Sequence, residues 1–186
     1  TDTAHRARLL CVVGRLQMAA ERPEAMQTLS LAAELAESSN LPRVAARALR
    51  SQAYQYCDQG HVSKAAACAA RAEQLFNGPI PLDERARLQL LSAIVAIHNY
   101  EYDAAESHIV AAEHLAEVSS DPTTLGVVLS WRHVVYMKQG RHDESLAVLQ
   151  RAIAFAVAEG NMFNHSRYLR ALGLHERLVG DPAKAK

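Results

Sequence analysis

Ala65–Ala72, Ala105–Ala112 and Ser145–Ala152 recur every 40 residues, and the pattern reaches back to Ala25–Ala32 and forward to Ala185. A turn position travels with it: Gly60, Tyr100, Gly140 and Gly180, with Ala20 at the equivalent place in the first unit. A period of this length marks an array whose units cannot each bury an apolar face alone, so that neighbours stack around one shared core. An array of this kind exposes a long surface, and binding is its default use.

Composition fits a packed array. The chain has 186 residues, 49% of them hydrophobic and 22% charged, which supplies a substantial core. Lys+Arg 20 against Asp+Glu 20 leaves no net charge, and that argues against a nucleic-acid or anionic-membrane binder. Cys11, Cys57 and Cys68 form an odd, unpatterned set among small and apolar residues, the signature of reduced core thiols and of a cytoplasmic setting. No run of 18 apolar residues predicts a membrane helix. Thr1 stands where a start Met is expected, and Asp181-Pro-Ala-Lys-Ala-Lys186 begins a helix and stops. The reading is therefore a single repeat domain over 1–186, cut from a longer protein, which leaves a periplasmic location open. Its repeats run over about 1–40, 41–80, 81–120 and 121–160, with a truncated fifth over 161–186.

Helical spacing dominates throughout. Val44, Ala48, Leu49, Ala53 and Tyr56 recur at helical spacing, as do Leu88, Leu91, Val95 and Ile97. Pro42, Pro81, Pro122 and Pro182 fall at or just before a first helical turn, where a missing N–H costs nothing. Asp121 and Asp181 add capping carboxylates, and Gly60, Gly140 and Gly180 suit the left-handed residue that closes a helix. Helices are expected at 3–19, 23–38, 42–59, 63–76, 82–98, 102–119, 122–139, 143–159 and 162–179, with the beginning of another at Pro182.

These units resemble tetratricopeptide (TPR) repeats. Ala53, Ala65 and Ala72 stand at that family's three small-residue positions, Ala93, Ala105 and Ala112 repeat them, and Tyr56 and Tyr136 match its first-helix aromatic. The resemblance covers the whole chain and implies a right-handed, all-α solenoid of antiparallel helix pairs that binds proteins. The unit departs from the commoner 34-residue version, His133 stands where a small residue is preferred, and Tyr100 replaces the turn glycine. The stretch Leu172–Lys184 resembles the last repeat of TPR segments preceding an output domain in GGDEF-type diguanylate cyclases and in LuxR-family activators. That implies a regulatory sensor module of a bacterial signalling or transcription-regulating protein. A structural scaffold without an output domain is the alternative.

In the family register the first helices line a concave groove. One groove position reads Ala7, Arg47, Arg87, Val127, Arg167 and the next Leu10, Arg50, Leu90, Ser130, Arg170, with Lys138 further along. Most acids lie in turns and second helices, so a neutral chain could hold a basic groove. Arg47, Arg50, Arg87, Arg167, Arg170, Tyr54 and Lys138 are the candidate partner-binding residues, and an acidic peptide is the matching ligand, since arginine binds carboxylates bidentately. The same arginines could instead solvate the face or pair internally with Asp58 and Glu84. His108 and His114 lie off the helical register of a metal pair, and no phosphate loop or nucleophile motif occurs. No cofactor, metal or catalytic residue is expected. The apolar side of Leu169, Leu172 and Leu178 suggests self-association through the last helix.

Overall fold

A computed structural model describes residues 2–179; Gly180 and the helix expected from Pro182 lie outside them. Within the described residues the chain is all-helical. It runs α1 (Asp2–Ala19), α2 (Ala25–Ser38), α3 (Pro42–Asp58), α4 (Val62–Gln74), α5 (Leu82–His98), α6 (Tyr102–Val118), α7 (Pro122–Lys138), α8 (His142–Ala158) and α9 (Met162–Leu178). No end departs from the sequence expectation by more than two residues.

The turns explain the regularity. Asn40, Gly60, Tyr100, Ser120, Gly140 and Gly160 all have positive φ and close their helices with the same pair of bonds. At Gly60, its N–H donates to Cys57 O at 2.9 Å and the next N–H, of His61, to Tyr56 O at 2.7 Å. These two bonds satisfy carbonyls that the helix itself leaves without donors. Only half of these positions are glycine. Asn tolerates the left-handed region, but Tyr100 sits there at φ 63° with 79% of its surface exposed, at a cost of about 1–2 kcal/mol. Tyr100→Gly removes that strain at the cost of one edge contact to Tyr102 and some unfolded-state entropy. The expected net gain is about 1 kcal/mol, or a Tm roughly 2–4 °C higher. An unchanged or lower Tm in thermal denaturation contradicts it.

The first turn corrects the sequence register. Positive φ falls on Glu21 at 53° and not on Ala20. Counting from Glu21 to Gly60, α1 and α3 are related by 60 − 21 = 39 residues instead of 40. Gly14 therefore aligns with Ala53, and both are buried. A Cβ on Gly14 would stand 2.8 Å from Leu29 Cγ and 3.2 Å from its backbone nitrogen, so only glycine lets α2 approach this closely.

The chain divides into two compact units, Thr1–Glu84 and Arg85–Lys186, with the boundary inside α5. In the first, α1 packs on α2 and α3, α2 on α3, and α3 on α4. In the second, α6 packs on α7, α7 on α8 and α9, and α8 on α9, around Leu125, Leu129, Leu149, Ala152 and Tyr168. The short turns make successive helices antiparallel. Ala25, Ala32, Ala65, Ala72, Ala105, Ala112 and Ala152 are all buried, as the repeat pattern requires: a methyl group lets two helix backbones come together.

Candidate partner-binding faces

In the first unit the groove residues separate into two kinds. Arg50 is buried and its guanidinium donates to Glu84 Oε2 at 2.6 Å, with side-chain exposures of 7% and 2%. It ties α3 to the start of α5 and offers nothing to a ligand, which removes it from the expected partner-binding set. Burying Arg50 is tolerable because its charge is paired where it sits. Arg47, one turn earlier, is exposed and makes no ion pair within the described residues. Tyr54 is half-buried. The 39-residue register puts Arg8 at the place of Arg47 on the neighbouring α1, where the 40-residue register had put the buried Ala7. Arg8 and Arg15 are both exposed. The shift follows from α2, which has 14 residues against 17 in α8 and so outweighs a first turn of five residues, Ala20 to Glu24, against three between α7 and α8.

Cys11 lies beneath this face, 2% exposed. Burial raises its pKa, while the Arg47, Arg15 and Arg50 charges act in the opposite sense. Burial also pushes Cys57 up to about 11, with help from Asp58. All three cysteines are free thiols, and burial raises the pKa of Cys68 as well, which favours the protonated form in each.

In the second unit Arg87 donates to Asp121 Oδ2 at 2.5 Å. That carboxylate also caps α7, accepting from Thr124 N at 3.0 Å, so a residue read as a cap doubles as the partner of a groove arginine. Lys138, Arg167 and Arg170 are exposed, and Arg167 stacks over Phe163 with 5.8 Å to the ring centroid. The α6 acids are not idle surface. Glu113 binds Arg132, and Glu106 accepts from Arg141 at 2.9 Å. Arg141 also lies 3.9 Å from the Tyr136 ring centroid. Burial works against ionised Glu106, but the Arg141 and Gln139 hydrogen bonds prevail and hold its pKa low. An open cleft of about 330 Å³ beside these residues is lined by Tyr100, Glu101, Tyr102, Asp103, Ala104 and Gln139.

His133 resolves the departure at its position. Where the equivalent places hold Ala53 with Ala65, and Ala93 with Ala105, this repeat holds His133 with Ser145. The hydroxyl of Ser145 donates to His133 O at 3.0 Å and lies 2.7 Å from His133 Nδ1. With its proton so used, the hydroxyl accepts from Nδ1–H, so a polar pair replaces an alanine crossing. The His133 ring centroid is 5.7 Å from that of the buried His175, which in turn is 6.4 Å from that of His142. Burial lowers the His133 pKa below 6.5, the Ser145 carbonyl opposes this, and His175 adds to the lowering.

That shift sets a pH dependence. Above 6.5 the imidazole is neutral in both states and contributes nothing. As pH falls through 6.5 the unfolded chain takes up a proton that the folded chain refuses, so stability drops. The expected result is a Tm that falls between pH 7.5 and pH 5, a range above the carboxylate titrations, and a shallower fall in His133→Gln. Equal slopes for the two proteins in a pH series of melts contradict it.

No protein-family model matches the sequence, and no curated protein does. Among solved structures the chain is similar to BtubC (BKLC) from P. vanneervenii, with a TM-score of 0.63 and 18% identity, covering 100% of this chain and 87% of that one. At that identity the likeness shows the fold alone, an all-α arrangement of sequentially packed helices. Among the described residues no helix is long and apolar enough to cross a membrane, and no group of three His, Cys, Asp or Glu side chains is placed to hold a metal ion.

Proposed function

We propose that this chain is a TPR-like, non-catalytic module that binds an acidic peptide or protein segment, as the sensor part of a bacterial signalling or transcription-regulating protein. One observation carries the reading: Arg8, Arg15 and Arg47 are exposed on the adjacent helices α1 and α3 and make no ion pair within the described residues. Arg50 and Arg87 spend their charge internally, so the outward cations stand apart from the structural ones. A charge-assisted hydrogen bond from such a guanidinium contributes about 1.5–3 kcal/mol.

The test is a calorimetric titration with a Glu/Asp-rich peptide and with the same peptide carrying lysines in place of the acids. The acidic peptide should bind with an affinity that falls as salt rises, because exposed ion pairs are screened over ~10 Å at 0.1 M ionic strength. Binding that ignores salt, or equal binding of the two peptides, contradicts the proposal.

A further inference from the structure

Helix α1 is apolar on two opposite sides. Ala7, Cys11 and Gly14 are buried against α2 and α3, while Leu9, Val12, Val13 and Leu16 form a second stripe at helical spacing, with Leu9 and Leu16 each 65% exposed. A surface helix normally has one apolar side, so the second stripe has the form of a contact without its partner.

The repeat itself shows what covers this face elsewhere. Stepping 39 residues from α1 to α3, Val13 falls on Gln52, which donates to Ser30 Oγ on the preceding helix α2 at 2.7 Å. Adding 140 − 21 = 119 residues to reach α7, from the left-handed Glu21 to Gly140, Val13 falls on Arg132, which binds Glu113 on the preceding α6. Leu9 and Leu16 fall on Val128 and Val135, both 0% exposed. In α3 and α7, then, a helix lies where α1 has an open stripe. The covering helix in the second unit is amphipathic and acidic: α6 carries Asp103, Glu106, Glu113 and Glu117 beside Ile109 and Ala116.

Charge defines the occupant further. The stripe is flanked by Arg6 on one edge and by Arg8 and Arg15 on the other, all exposed and none in an ion pair within the described residues. α1 carries no acid beyond Asp2. We infer that the outer face of α1 docks an acidic amphipathic helix, which seats apolar side chains on Leu9, Val12, Val13 and Leu16 and sets its carboxylates against Arg6, Arg8 and Arg15. This contact shares Arg8 and Arg15 with the proposed acidic-peptide face, and its apolar stripe, which Arg47 does not border, distinguishes the two: loss of binding in a Leu9 and Leu16 variant reports on the stripe, and loss in an Arg47 variant on the peptide face.

The probe is a fluorescein-labelled peptide with the α6 sequence, Tyr102–Val118, titrated into the chain and followed by anisotropy. The control peptide has lysine at 103, 106, 113 and 117. The test variant is Leu9→Glu with Leu16→Glu; both side chains face solvent, so circular dichroism and Tm should match the parent. Saturable binding of the acidic peptide, weakened at least about tenfold both in the double variant and on changing to the lysine peptide, is the expected result, since a carboxylate cannot be buried unpaired in an apolar contact. Peptide binding that survives the double variant places the helix elsewhere, for instance in exchange with α6, and overturns the inference. So does a chain that fails to bind the peptide but sediments with phosphatidylglycerol-containing vesicles through Leu9 and Leu16, or one that dimerises through them.

Discussion

Arg50→Ala should destabilise the chain, because it takes from the buried Glu84 carboxylate the guanidinium that donates to it at 2.6 Å, and breaking a buried pair costs about 3–5 kcal/mol. Glu84 is 1% exposed and cannot turn to water without moving the start of α5. Replacing both members together, as Arg50→Met with Glu84→Leu, should restore most of the loss, since a buried pair is often no better than apolar side chains of similar volume. Urea denaturation of the parent, the single variant and the double variant measures all three. A single variant within about 1 kcal/mol of the parent contradicts a structural role for the Arg50–Glu84 pair.

Leu149→Ala should cost about 2–5 kcal/mol, the transfer of the lost methylenes plus the cavity they leave. Leu149 is 0% exposed and lies in the core that joins α7, α8 and α9. The informative comparison is Leu16→Ala on α1, the same chemical change on an exposed side chain, which should stay within about 0.5 kcal/mol. Unfolding free energies that differ by less than about 1 kcal/mol between these two variants contradict the assignment of one leucine to the core and the other to an open face.

The alanine spacing made the helix crossings legible, because a position at which two backbones meet admits few residues and recurs with the repeat. Helix ends followed from proline and glycine at Pro42, Gly60, Pro122 and Gly140. The left-handed residues Asn40, Tyr100 and Ser120 were harder to see as closures. Their strain is offset by two backbone hydrogen bonds that leave no mark on residue type. A one-residue shift at Glu21 then moved the whole α1 face, hiding Arg8 behind Ala7. The candidate site was less legible than the fold, since an arginine on a first helix reads alike whether it meets solvent or a carboxylate. Glu84 was foreseeable as a partner for these arginines, but Asp121 looked only like a helix cap, and Glu106 and Glu113 looked like surface acids. Which arginine each carboxylate meets depends on neighbouring helices, information that lies 34 residues away for both Arg50 and Arg87.

Arg47 should act as a ligand-facing arginine and Arg50 as a structural one, and one binding comparison distinguishes the two roles. The acidic peptide is titrated into the parent chain, into Arg47→Glu, and into the Arg50→Met, Glu84→Leu double variant, each first confirmed as folded. The account predicts that charge reversal at Arg47 weakens binding about tenfold or more, in line with the loss of a charge-assisted hydrogen bond, while the double variant binds as the parent does. Undiminished binding by Arg47→Glu, together with loss of binding in the folded double variant, would contradict it.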